Sequence, residues 1–288
     1  MSDLTSASPA TPNMIKLEIL DKDGTVRMGK NEYEEHQLPM AAQGEEMAFI
    51  ATQELVYQEG DFIRVTTDAP GRFLVVKLDE TLDSSLIYLN DVIWEYEIPL
   101  SEGARNSIPD MAFMSKSHYL SVRYAKDYEI KQYRNLALNP HDQKDSKGAY
   151  PHAYANVETR NDSTFFAKNA IDGVYANNSH GQYPYQSWGI NRDPNAEFTI
   201  DFERNVRIDS AGIVLRADFP HDSFWRQVTL RFEDGTTYTF ATEKKTGLQM
   251  FNFPAVVTRY AVLEKLIKAD DESPFPALTQ LELYGTEE

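Results

Sequence analysis

Hydrophobic and polar residues alternate in short runs along the first half of the chain. Alternation with a period of two predicts half-buried β-strands, and turn residues separate the runs about every ten residues. Residues 45–55 fit a strand or a short helix equally well. The runs predicted as strands are Ile15–Leu20, Asp61–Thr66, Arg72–Leu78, Ser85–Leu89, Ile93–Ile98 and His118–Arg123.

The same alternation resumes after residues 139–150, which are polar and rich in turn residues, as a domain junction is. The strands predicted there are Ala196–Phe202, Val206–Leu215, Gln227–Phe232, Thr237–Phe240, Val256–Leu266 and Gln280–Tyr284. Short, closely spaced strands favour β-sandwiches or jelly rolls over a parallel α/β sheet. A length of 288 residues fits two domains. We therefore predict an all-β protein of two β-sandwich (jelly-roll) domains, residues 14–133 and 134–288, after a disordered lead at residues 1–13.

Charge and composition exclude several classes of protein. The chain has 45 acidic and 28 basic side chains and a net charge of -17, the wrong sign for binding nucleic acid or an anionic membrane. It has no apolar run of the ~18 residues that a membrane span needs, and no basic, apolar leader, so a cytoplasmic protein is expected. With no Cys, it has no disulfides, thiolate nucleophiles or thiolate metal sites.

The segment from Arg216 to Trp225 is the densest in candidate chemistry. It places an Arg, a His, two acids and three aromatic residues between two predicted strands. Sugar-binding sites combine flat aromatic rings with Arg, Asp, Asn or His groups that bond neighbouring hydroxyls. The segment therefore favours a binding loop.

The second half also resembles a known family, the discoidin-like or coagulation-factor C-type β-sandwich. This fold is also called the galactose-binding-like jelly roll, and it includes many carbohydrate-binding modules. The motifs that carry the resemblance, in order, are Asn135–Asn139, Ala170–Gly173 followed by Trp188, Glu197–Phe202, Ile208–Leu215 and Leu281–Gly285. The resemblance implies a ligand site in loops at one end of the sandwich.

Two segments would supply those loops. His180, Tyr183, Trp188 and Arg192 come from the first, and Arg216, Asp218, His221, Asp222 and Trp225 come from the second. Each has a plainer alternative: Trp188 could belong to the core, and Arg216 with Asp218 could form only an internal ion pair.

The resemblance further implies a structural Ca²⁺ bound by the loop that begins at Ala170. Asp172 matches the family's aspartate, with Asn169 and Asn177 as further oxygen donors. The last-strand ligand, acidic in the family, falls on Gln280, whose amide carries no charge. The alternative is that Asp172 only caps the turn at Gly173.

Three functions follow from these observations. We expect a non-catalytic carbohydrate-binding protein, whose partner is a mono- or oligosaccharide. The first alternative is a structural or interaction protein that forms a homo-oligomer, because exposed Trp, Tyr and Arg also mark protein interfaces. The second is a glycoside hydrolase or polysaccharide lyase, because Asp218, His221 and Asp222 lie close together in the chain.

Overall fold

The computed structural model describes residues 14–219 and 223–288, and this part of the chain is almost entirely β-strand. The predicted lead at residues 1–13 lies outside it. Its strands pair antiparallel, and its longest α-helix, Asp127–Lys131, has five residues. The predicted all-β sandwich class is confirmed.

The N-terminal half is a sandwich of two sheets, in the strand orders β4-β1-β6-β9 and β12-β8-β7-β10-β5. Apolar residues from both sheets, such as Ile63 and Val76, share one core. The undecided segment 45–55 contains a strand, β5, with alternating burial. The elements are β1 Met14–Leu20, β2 Met28–Gly29, β3 Leu38–Pro39, β4 Ala41–Glu45, β5 Met47–Thr52, β6 Phe62–Thr67, β7 Arg72–Lys77, β8 Ser85–Leu89, β9 Ile93–Glu97, α1 Glu102–Arg105, β10 His118–Tyr124 and α2 Asp127–Lys131, with β12 Ala149–Tyr150 added from the segment between the halves.

The C-terminal half is built on an eight-stranded network, in the order β11-β19-β15-β18-β16-β17, with β13 added to β15 and β14 added to β19. Three short 3₁₀-helices, Thr159–Asn161, Ser163–Phe165 and Ala167–Ile171, precede β14. These eight strands are β11 Arg134–Asn135, β13 His152–Ala155, β14 Trp188–Gly189, β15 Phe198–Leu215, β16 Trp225–Phe232, β17 Thr237–Ala241, β18 Gln249–Lys268 and β19 Ala277–Glu287.

Strand β15 bends so that its two ends pair with different neighbours. Its first residues pair with β13, and from Val206 onward it pairs with β19. Shifts in register between Asp201 and Val206 mark the bend, as expected of β-bulges. One long strand thereby wraps a single core that contains Trp188 and Trp225, and it ends at Leu215, directly before Arg216.

The segment between the halves is packed rather than exposed. Strand β12 pairs with β8 of the N-terminal half, and Ala149 belongs to the N-terminal core. His141 is buried, accepts a hydrogen bond from the Leu78 N–H (3.1 Å), and lies 2.7 Å from Ser85 Oγ through its other ring nitrogen. Leu136, by contrast, lies in the C-terminal core. The boundary between residues 133 and 134 stays a prediction.

Within residues 14–219 and 223–288, we find no helix with the length and apolar character needed to cross a membrane.

Candidate functional site

Arg216 and Asp218 form a buried ion pair immediately after β15. The Arg216 guanidinium donates from Nε to Asp218 Oδ1 (2.5 Å) and from Nη2 to Oδ2 (2.6 Å), a bidentate arrangement. Burial raises the pKa of Asp218, but the hydrogen bond and charge of Arg216 and those of His180 outweigh it, so the pKa lies below its ordinary value. Asp218 is therefore held as a carboxylate that orients Arg216.

His180 joins the same carboxylate from a different loop. Its Nδ1 lies 2.5 Å from Asp218 Oδ2 and 2.9 Å from Arg216 Nη2. Because Arg216 has no acceptor, the neutral ring is satisfied when Nδ1–H donates to Asp218, which leaves Nε2 as an acceptor. The side chain of His180 is 46% exposed, so a ligand can reach it.

Arg216 and His180 line a cleft of about 180 Å³, which we call the Arg216 cleft. Its aromatic wall includes Phe275, whose side chain comes from the loop before β19 and whose residue is 42% exposed. The carbonyl of Phe275 accepts a hydrogen bond from Arg216 Nη1 (3.3 Å). The other lining residues are Thr159, Arg160, Phe165, Gly189, Ile190, Asn191, Arg192, Pro276 and Ala277.

A tight turn after β14 brings Asn191 and Arg192 to the same cleft. Both residues have left-handed backbone conformations, with φ of 49° and 62°. The guanidinium of Arg192 lies 4.5 Å from the centre of the Phe275 ring, in cation–π geometry. Gly189 allows this turn to approach the 3₁₀ segment, because a Cβ there would lie 2.7 Å from Thr159 Oγ1.

Two of the predicted aromatic site residues belong to the core. Trp188 and Trp225 are both fully buried, with ring centres 6.2 Å apart. Trp188 also packs against Phe198 and donates its Nε1–H to Val157 O. Neither ring can offer a face to a ligand in this structure, because β14 and β16 direct both inward. The expectation that Trp225 stacks on a ligand is therefore corrected, and Trp188 has the core role that was its alternative.

The remaining predicted residues divide between three places. Tyr183 lies outside the Arg216 cleft, and its N–H donates to Asn106 O of the N-terminal half (2.8 Å). Arg192 lines the cleft. His221 and Asp222 lie outside the described residues.

The residues predicted as metal ligands are engaged with one another and with the backbone. Asp172 accepts hydrogen bonds from the Val174 N–H, from Gln280 Nε2 and from Gln186 Nε2. Burial raises the pKa of Asp172 to about 6, against these hydrogen bonds and the positive charge of Lys168.

Asn169 and Asn177 use their side chains as donors. Asn169 Nδ2 donates to the carbonyls of Ser163 (2.8 Å) and Ser187 (3.2 Å). Asn177 Nδ2 donates to the carbonyls of Leu215 (2.7 Å) and Thr246 (2.9 Å). Asn177 therefore braces the end of β15, where Arg216 follows.

The cleft contains residues that the sequence reasoning did not select, chiefly Phe275, Thr159 and Arg160. Phe275 stands between Pro274 and Pro276 in an otherwise polar stretch before the last strand. An aromatic residue between two prolines in a polar segment is the sequence feature that could have identified Phe275 as a candidate site residue.

No protein-family model and no curated protein sequence matches this chain. Solved structures do match, among them the chitosan-binding module 1 of a chitosanase/glucanase from Paenibacillus sp. IK-5, at 18% identity and a TM-score of 0.38, over 52% of this chain and 98% of that one.

Two further structures are similar to a comparable extent. The family 32 carbohydrate-binding module of C. perfringens NanJ, in complex with galactose, is 14% identical with a TM-score of 0.37, over 53% of this chain and 99% of its own. A fucose-binding module of Streptococcus pneumoniae is 13% identical with a TM-score of 0.37, over 53% and 98%. These three solved structures are carbohydrate-binding modules of the galactose-binding-like fold, the class that the sequence motifs indicated.

Proposed function

We propose that this protein binds a carbohydrate without chemical conversion, and that the Arg216 cleft holds a terminal sugar. The observation that carries the proposal is the buried Arg216–Asp218 pair, which presents a guanidinium to an open cleft beside an exposed imidazole and an exposed aromatic ring. Polar groups fixed by buried partners, next to an aromatic surface, are what a sugar with its alternating hydroxyl and C–H faces requires.

Some donors and acceptors in the cleft are not used by other protein groups and can bond the hydroxyls of a sugar. Arg216 donates two of its five guanidinium N–H groups to Asp218 and one to the Phe275 carbonyl, and its Nη2 also lies 2.9 Å from His180 Nδ1, so one N–H of Nη1 remains for a ligand. His180 adds an acceptor at Nε2, and Asn191 adds an exposed amide with both donor and acceptor character. A pair of neighbouring hydroxyls can bond Arg216 and His180 together.

The charge of the cleft supports binding rather than hydrolysis. Among the described residues that line it there is no carboxylate, since Asp218 lies behind Arg216 and is committed to it. Glycoside hydrolysis by the usual routes requires two carboxyl groups flanking the scissile bond. The homo-oligomer and the cytoplasmic location expected from the sequence stay predictions.

A glycan array probed with the wild-type protein and with His180→Ala tests the proposal. His180 is exposed, so its truncation should leave the fold intact while any glycan signal falls to background. His36→Ala, which removes an exposed imidazole from the N-terminal half, is the matched control and should retain the wild-type signal. An equal signal from wild type and His180→Ala would contradict the assignment of the site, and no signal from the wild type on a broad array would contradict the function.

A further inference from the structure

Four oxygen atoms surround the side-chain nitrogen of Gln280. Gln280 Nε2 lies 2.6 Å from Thr279 O, 2.7 Å from Asp172 Oδ1, 2.9 Å from Asn169 O and 3.2 Å from Val174 O. Three are backbone carbonyls and one is a carboxylate. Convergent oxygens of this kind, from a Gly-containing loop, are the donors that Ca²⁺ takes in proteins.

The orientation of the Gln280 amide is determined by its other end. Gln280 Oε1 accepts a hydrogen bond from the Gly173 N–H at 3.0 Å. A flipped amide would direct its NH₂ group at the Gly173 donor and its oxygen at four other oxygens, which would lose every favourable contact. The nitrogen therefore occupies the centre of the oxygen cluster.

The residues as they stand do not fit a calcium ion. The Nε2 amino group of Gln280 occupies the position where the four oxygens converge. The partial positive charge on its hydrogens would repel a cation there. Asp172 is the one carboxylate whose oxygen faces Gln280 Nε2 among the described residues, and its second oxygen accepts from Gln186 Nε2 (2.7 Å). Glu282, the nearest acid along β19, is hydrogen-bonded to the hydroxyls of Tyr175 and Tyr284 instead.

We propose that the Gln280 amide takes the place of a divalent cation in this module, so that the loop after the third 3₁₀-helix is fixed to strand β19 without metal. The two N–H donors of Gln280 are shared among oxygens of residues 169, 172 and 174, and its acceptor bonds the N–H of residue 173, so one side chain ties residues 169–174 to β19. This places the loop independently of whether the Arg216 cleft binds sugar.

The proposal makes two linked predictions about calcium. The wild-type Tm, measured in 1 mM CaCl₂ and in chelator at equal ionic strength, should agree within about 1 °C, because nothing in the native state gains from the ion. Gln280→Glu should restore a calcium-binding carboxylate. We expect its Tm to fall below that of the wild type in chelator, because two carboxylates then face each other, and to rise by about 5 °C or more with calcium.

Gln227→Glu is the matched control, because it adds the same charge at an exposed position on β16 and should show no calcium response. A wild-type Tm that rises by more than about 1 °C with calcium would overturn the proposal, and so would a folded Gln280→Glu variant whose Tm does not respond to calcium. If this variant folds neither with nor without calcium, calorimetric titration of the wild type with CaCl₂ decides: saturable binding at a single site rejects the proposal, and its absence supports it.

Discussion

Arg216 is oriented by Asp218, the residue two positions further along the chain, through two hydrogen bonds of 2.5 and 2.6 Å. Strand β15 ends at Leu215, and Arg216 and Asp218 lie in the loop that follows directly. The pair is nearly buried, and His180 completes it from the loop that precedes β14.

Removing the charge of Asp218 should lower the stability of the fold. In Asp218→Asn, Arg216 keeps its buried charge but loses its bidentate partner, and we expect the free energy of unfolding to fall by about 3 kcal/mol. Denaturant titration measures this loss. The control Asp83→Asn, at an exposed position of the N-terminal half, should change the free energy by less than about 0.5 kcal/mol. Equal stability of the two variants would show that the pair does not contribute as described.

Truncating Phe275 should separate binding from stability. The residue is 42% exposed and lines the Arg216 cleft, so Phe275→Ala should weaken the binding of any glycan found on the array by about tenfold or more. The Tm should change by no more than about 2 °C. Phe49→Ala, an exposed phenylalanine on strand β5, should leave glycan affinity unchanged. An unchanged affinity of Phe275→Ala would remove this ring from the site.

Trp225 should behave as a core residue. Trp225→Ala is expected to lower the free energy of unfolding by about 4 kcal/mol, since the side chain is fully buried and its removal leaves a cavity. Trp225→Phe should cost much less, because the Nε1–H of Trp225 is buried without an acceptor among the described residues. Thermal melts followed by circular dichroism test whether Trp225→Ala is less stable than Trp225→Phe. A Tm of Trp225→Ala equal to that of the wild type would contradict the assignment of Trp225 to the core.

His141 should make the stability of the protein depend on pH. Burial, with the charge of Lys77, lowers the pKa of His141 to about 3, from an unfolded value of about 6.5. Between these values the unfolded chain takes up a proton that the native state refuses, so stability is fully present above about pH 6.5 and falls as the pH is lowered toward 3.

Unfolding of the wild type and of His141→Gln at several pH values measures this contribution. The wild type should lose up to about 1.4 kcal/mol per pH unit more than His141→Gln over the window below pH 6. His36→Gln, which replaces an exposed histidine, should follow the wild-type slope. If the free energy of unfolding falls equally with pH in the wild type and in His141→Gln, His141 is protonated in the native state as readily as in the unfolded chain, which would contradict the prediction.

Much of the fold could be read from the sequence, because alternation is local. The predicted strand at Ser85–Leu89 coincides with β8, and those at 206–215 and 280–284 lie within the observed β15 and β19. The sequence also located the loop chemistry, since Arg216, Asp218, His180 and Arg192 do meet near one cleft. Residue types and their spacing suffice for these conclusions because strands and turns follow from neighbours along the chain.

Only the tertiary structure decided which groups face the solvent and which face each other. Trp225 follows a polar loop but points inward, because β16 begins there and its first side chain falls on the core face. Phe275 lies 59 residues after Arg216, yet its carbonyl accepts a hydrogen bond from Arg216 because β19 pairs with β15. The sequence determined the donors and acceptors of Gln280. The fold decided that its nitrogen would lie among four oxygens, because three of those oxygens belong to residues more than a hundred positions away along the chain.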